Sequence, residues 1–116
     1  MKNYVQQGAI LDHTAASAIT GGSPVVMGDS VGIAVGDIDS GGAGSVAVEG
    51  VYELPKASGT AWTQGDALDF DASEGAFDKD ISGASGDVTE CAIAAADATS
   101  GATTGVVKLA NPGTAV

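Results

Sequence analysis

No stretch of this sequence runs far without a glycine or another turn-forming residue. Eighteen of the 116 residues are Gly, and the apolar residues between them fall in short runs that alternate with polar or small ones. An amphipathic helix needs apolar residues at three- and four-residue spacing over ten or more positions, whereas a strand needs only four to eight alternating ones bounded by turn signals. The pattern predicts an all-β fold, a small single-domain β-barrel or β-sandwich. The length is one domain's worth.

The clearest run is Ser45 to Leu54, with Val46, Val48, Tyr52 and Leu54 on one face and Glu49 and Glu53 on the other. Gly50 interrupts it and predicts a bulge or a close backbone approach, and Pro55 ends it. In the preceding run Val31, Ile33 and Val35 share a face. Gly32, Ala34 and Gly36 lie opposite, a small-residue face suited to packing against another sheet or another subunit. Ser40–Gly44 reads as the turn between residues 30–38 and 45–54. A second hairpin sends Leu68 and Phe70 inward and Asp69 and Asp71 outward, turns at Ala72–Gly75, and returns through Phe77 and Ile81. Two more strands are expected near Thr89–Ala96 and Gly105–Ala110. Gly28-Asp29, Gly65-Asp66 and Gly86-Asp87 each precede an apolar run, at uneven spacing that marks repeated turn chemistry rather than a solenoid or propeller repeat. Residues 1–8 read as an extended N-terminal arm anchored by Tyr4 and Val5, residues 9–110 as the β-domain, and residues 111–116 as a flexible C-terminal tail.

Much of the apolar content is Ala, and aromatics are only 4%, so the core is expected to be thin and to need subunit contacts. A net charge of −11, with Lys2, Lys56, Lys79 and Lys108 as the only basic residues, lacks the footprint of a nucleic-acid binder and argues against anionic membranes. It favours solubility and a neutral or basic partner. Cys91 stands alone, which excludes an intrachain disulfide and a Cys-based zinc site. The N-terminus has no apolar signal region, so manufacture and use without export by a signal of its own are expected.

Candidate chemistry fails residue by residue. Asp39-Ser40-Gly41 is similar to the Asp-Thr/Ser-Gly turn of aspartic proteases but runs into Gly42-Ala43-Gly44, as a plain turn does. Gly28-Asp29-Ser30 is similar to the start of a serine esterase, yet His13, the sole His, lies upstream and no Asp-x-x-His pair follows. Asp69, Asp71 and Ser73 match the first spacings of a calcium loop, but Glu74 stands where Gly is required and Asp80 where a bidentate Glu belongs. No phosphate loop exists. Cys91 reads as a small buried residue, and Trp62 as a core or interface anchor. The expectation is no enzyme, no metal and no cofactor.

Four segments occur together in order: Tyr4-Val5-Gln6-Gln7-Gly8, Val51-Tyr52-Glu53-Leu54-Pro55-Lys56, Trp62-Thr63-Gln64-Gly65-Asp66-Ala67-Leu68 and Thr104-Gly105-Val106-Val107-Lys108-Leu109. They resemble a family of small tailed-phage and prophage proteins, formerly a domain of unknown function, whose members are called capsid cement or head decoration proteins. The resemblance covers nearly the whole chain. Residues 78–91 depart from it, being more acidic and Gly-rich. It implies a β-domain made in the bacterial host cytoplasm and placed in the virion, on the outer surface of the phage head. There it would clamp neighbouring major capsid protein subunits, with no nucleic acid, no membrane and no catalytic residues involved. A homotrimer is expected, formed on the capsid if not before. Tyr4, Val5 and Trp62 are the candidate partner contacts. The alternative is a carbohydrate-binding β-domain of a phage fibre or adhesin, which exposed aromatics would mark.

Overall fold

A computed structural model describes residues 8–116. Ten strands appear among these residues, and no helix: β1 (Ile10–Thr14), β2 (Pro24–Met27), β3 (Ser30–Ala34), β4 (Ala43–Ala47), β5 (Val51–Pro55), β6 (Ala67–Asp71), β7 (Ala76–Asp78), β8 (Val88–Ala94), β9 (Thr104–Leu109) and β10 (Thr114–Ala115). The all-β expectation holds. The first sheet has the order β1-β4-β3-β2, the second β5-β9-β8-β6-β7, with β10 attached to β8. The second sheet curls into a half-barrel. Its two ends meet where Lys56 bridges Phe77 and the Ala57 N–H donates to the Phe77 carbonyl at 2.9 Å.

Local chemistry explains the strand ends. Met27-Gly28-Asp29-Ser30 is a two-residue hairpin, and Gly28 takes the positive φ of 60° that its first central position demands. The long alternating run of residues 45–54 is not one strand. Val46 lies in the first sheet and Leu54 in the second, and the chain crosses between them at Gly50, whose φ is 118°. Gly50 is therefore a crossing point rather than a bulge within a strand. The faces are as the alternation predicts: Val46 and Leu54 are buried, Val48 and Tyr52 half-buried, Glu49 and Glu53 exposed. The β6–β7 hairpin also forms as predicted, with Phe70 opposite Phe77 and their rings edge-to-face at 5.2 Å. Ile81 lies beyond β7.

The main core joins the half-barrel's inner side chains, among them Leu54, Trp62, Leu68, Phe77, Val88 and Val107, to Val31 and Ile33 of β3. A smaller core of Ala15, Val25, Ala34, Ile38 and Val46 lies on the other face of the first sheet. Of the small-residue face, Gly32 and Ala34 are covered within the chain and Gly36 is exposed. Ala34 is in that smaller core, and a Cβ at Gly32 would overlap the Val46 side chain and the Ala47 carbonyl.

The two sheets repeat one design. The order β1-β4-β3-β2 recurs as β5-β9-β8-β6, every pair antiparallel. The register recurs with it: Ile10, Ala47, Ile33 and Pro24 lie in one row across the first sheet, as Val51, Lys108, Ile93 and Ala67 do across the second. Ile19 and Ile38 exchange two backbone hydrogen bonds, and so do Trp62 and Ala98. Asp37 accepts the Gly21 N–H as Asp97 accepts that of Gln64, both at 2.8 Å. Pro24 and its partner Ile33 are nine residues apart and Ala67 and Ile93 twenty-six, so the second unit carries seventeen more. These hold β7, an acidic excursion and an irregularity in β8.

Residues 111–116, where the composition predicts a loose tail, are bonded into the fold. Asn111 donates to the carbonyls of Val31 at 2.9 Å and Val48 at 3.2 Å and accepts from the Val31 N–H at 2.9 Å. β10 pairs with Val88 and Thr89, and the Ala115 N–H reaches Asp29 Oδ1 at 2.8 Å.

Candidate functional site

Carboxylates dominate the charged side chains, fifteen against four Lys, and the structure uses many of them on its own backbone. Asp66 closes the turn Thr63–Asp66 by accepting the Thr63 N–H at 2.8 Å. It also meets Lys79 Nζ at 3.1 Å. These contacts, the Thr63 N–H first, hold its carboxyl below the ordinary range. Asp87 is buried and accepts the N–H groups of Ala72 at 2.9 Å and Ala84 at 2.8 Å. Asp71 accepts from the Ser73 N–H at 3.0 Å and from its hydroxyl at 2.6 Å.

Asp69 corrects an expectation. Strand alternation predicts it on the solvated face, but it is only 7% exposed. Leu68 faces Ala92 while Phe70 faces Val88, so the single residue Asp69 of β6 lies opposite three of β8, Thr89, Glu90 and Cys91. The Asp69 carboxylate fills that break, taking the N–H of Ile81 at 3.1 Å and of Glu90 at 2.7 Å. The three residues that match a calcium loop by spacing are thus committed to local hydrogen bonds. No cluster of three or more metal-ligating side chains exists among the described residues.

The other candidates resolve in the same way. Asp39-Ser40-Gly41 is a turn, closed by the Gly42 N–H on the Asp39 carbonyl at 2.8 Å. Asp29 holds the chain's end, and His13 is half-buried on β1. Burial pushes the Cys91 thiol up to about 12, so it is protonated and inert at neutral pH.

Trp62 is a core residue, 3% exposed, and offers no ring face to a partner. Its indole N–H donates to the Ala96 carbonyl at 3.1 Å, and Lys56 Nζ lies 5.3 Å from its ring. Gly105 fits beneath it because any Cβ there would overlap the indole. Tyr4 and Val5 lie outside the described residues.

One surface feature was not foreseen. A largely apolar groove of about 510 Å³ runs along the seam of the two sheets, lined by Ile10, Ile33, Val35, Ala47, Tyr52 and Glu49 among others. Val35, expected to share the core face of Val31 and Ile33, instead lies just past β3 and is 60% exposed in this groove. The Tyr52 hydroxyl donates to the Glu49 carbonyl at 2.8 Å and fixes the ring as a wall. No sequence signal marks the groove, because its walls come from separate segments of both sheets.

Comparison with curated proteins and with solved structures returns no match. The family comparison does: the sequence profile of the phage cement proteins matches residues 5–109, and the chain belongs to that family.

Proposed function

We propose that this chain binds the outer surface of a tailed-phage head and stabilises contacts between neighbouring major capsid protein subunits. The family match over residues 5–109 carries this reading, since cement proteins are structural proteins associated with the capsid. The architecture is compatible with it. Asp66, Asp69 and Asp87 bond backbone N–H groups, and the chain is strongly acidic and suited to staying dissolved before assembly. Many copies around symmetry axes multiply modest affinities. A homotrimer suits three-fold positions between capsomers, and the thin core remains its support, since Gly32 and Ala34 are covered within the chain.

The N-terminal arm, with Tyr4 and Val5, is part of the proposed grip, pairing along a neighbour's exposed strand edge. A carbohydrate-binding role gains nothing from the rings described: Trp62, Phe70 and Phe77 are buried and Tyr52 is half-buried.

The test adds full-length protein, or residues 9–116, to heads stripped of it and measures DNA release on heating. Full-length protein is expected to bind and protect, and the truncated form to do so less well. Equal protection by both forms overturns the arm's role. Neither binding nor protection by the full-length protein overturns the cement role.

A further inference from the structure

We propose that the seam groove is the capsid-gripping surface, and that it receives an extended apolar segment of a capsid subunit carrying a basic residue. This rests on the cement reading and names the surface and partner chemistry that the reading lacks.

The groove crosses the first sheet, where Ile10 of β1, Ala47 of β4 and Ile33 of β3 lie in one register row, and Tyr52 of β5 borders it from the second sheet. Its floor is apolar and set by the core, because Ile33 is packed from beneath by the half-barrel. Its walls are apolar and partly exposed to solvent, Ile10 at 45% and Val35 at 60%. Large apolar side chains gathered in one concave site gain by being covered. An extended segment fits such a groove, because its alternate side chains can enter it.

Charge selects among such segments. Among the described residues lining the groove, Glu49 is the one with a charged side chain, and the chain as a whole carries −11. A Lys or Arg beside the apolar run would meet Glu49 and be drawn in by the wider field, whereas an acidic segment would be repelled. The same field disfavours a second copy of this chain as the occupant.

The test measures co-sedimentation of four proteins with heads lacking them: wild type, Val35→Asp, Glu49→Lys and Val106→Asp. Val106, 37% exposed on β9 and away from the groove, controls for added negative charge. Val35→Asp and Glu49→Lys are expected to weaken binding about tenfold or more, with thermal unfolding like that of wild type, and Val106→Asp to bind as wild type does. Wild-type binding that both groove variants retain overturns the groove while leaving the cement role standing. Equal loss by Val106→Asp also overturns it. If Val35→Asp changes the mass of the free protein by light scattering but not its binding to heads, the occupant is a second copy and the proposal is wrong. If wild type itself does not bind, the cement role fails, and the groove proposal with it.

Discussion

Asp69 accepts the backbone N–H of Glu90 at 2.7 Å, at the break in register between β6 and β8. The bond joins a buried carboxylate to a residue held at a φ of 54°, a conformation side chains rarely adopt. An acidic side chain that looks like solvated surface is the pin of the half-barrel's irregular corner.

Asp69→Ala should therefore destabilise the fold by about 2–4 kcal/mol, since it strands two backbone N–H groups that are otherwise satisfied. Asp69→Asn, which keeps one carbonyl oxygen, should cost less. Urea unfolding checks both. Calcium should leave the melting temperature of the wild type unchanged, because both oxygens of Asp69 already serve backbone donors. A clear rise that Asp71→Ala abolished would show a cation site in the excursion.

Glu90→Gly is expected to act in the opposite direction. Gly adopts a φ of 54° without the steric cost borne by Glu, and the Glu90 side chain is exposed. A gain of up to about 1 kcal/mol should appear as a higher melting temperature.

Acid should weaken the fold partly through Asp66. The Thr63 N–H and Lys79 hold its carboxyl below the ordinary carboxylate range, so the folded state favours the ionised form. That contribution is present above the unfolded value and is lost as pH falls through the lower folded value. The melting temperature of Asp66→Asn should therefore lie below that of the wild type at neutral pH and approach it below pH 3.8.

Cys91 should not react with a thiol reagent in the native protein at neutral pH, since it is fully buried and its thiol titrates only near 12. Labelling in urea should follow the unfolding transition. Rapid labelling without denaturant would contradict the packing around β8.

Gly105→Ala should cost about 1–3 kcal/mol by forcing the Trp62 ring aside. Gly101→Ala meets open space and should change stability by less than about 0.5 kcal/mol. Trp62 is the chain's only tryptophan, so its fluorescence reports both.

The sequence shows where strands lie when one face is wet. The β6–β7 hairpin, β8 and β9 follow from alternation and Gly-bounded turns. It does not show which sheet a strand joins. Residues 45–54 keep one alternation on both sides of Gly50 although the chain changes sheets there, because both halves bury the same parity. The repeated design is hidden for a related reason. Register equivalence is a property of backbone pairing, and the positions that share it hold different side chains, such as Ile19 and Trp62 or Ile38 and Ala98. The inward turn of Asp69 depends on two extra residues in the partner strand, which no local pattern in β6 reveals. The segments that carry the family resemblance are legible for an architectural reason: Lys56 lies over Trp62, which lies on Gly105, so three of the four motifs meet in one packed corner.

Of the seventeen added residues of the second unit, fifteen lie between equivalent strands and two in the irregularity of β8, and the strand order is unchanged. Within that excursion the Ile81 N–H is tied to Asp69 and the Ala84 N–H to Asp87, and Ser82 lies exposed between the two ties. A foreign peptide spliced in at Ser82 would leave from a loop fastened at both feet, outside either core. On the outer-surface seating proposed above, each copy would bring one such peptide to the head, which makes the excursion a handle for dense antigen display.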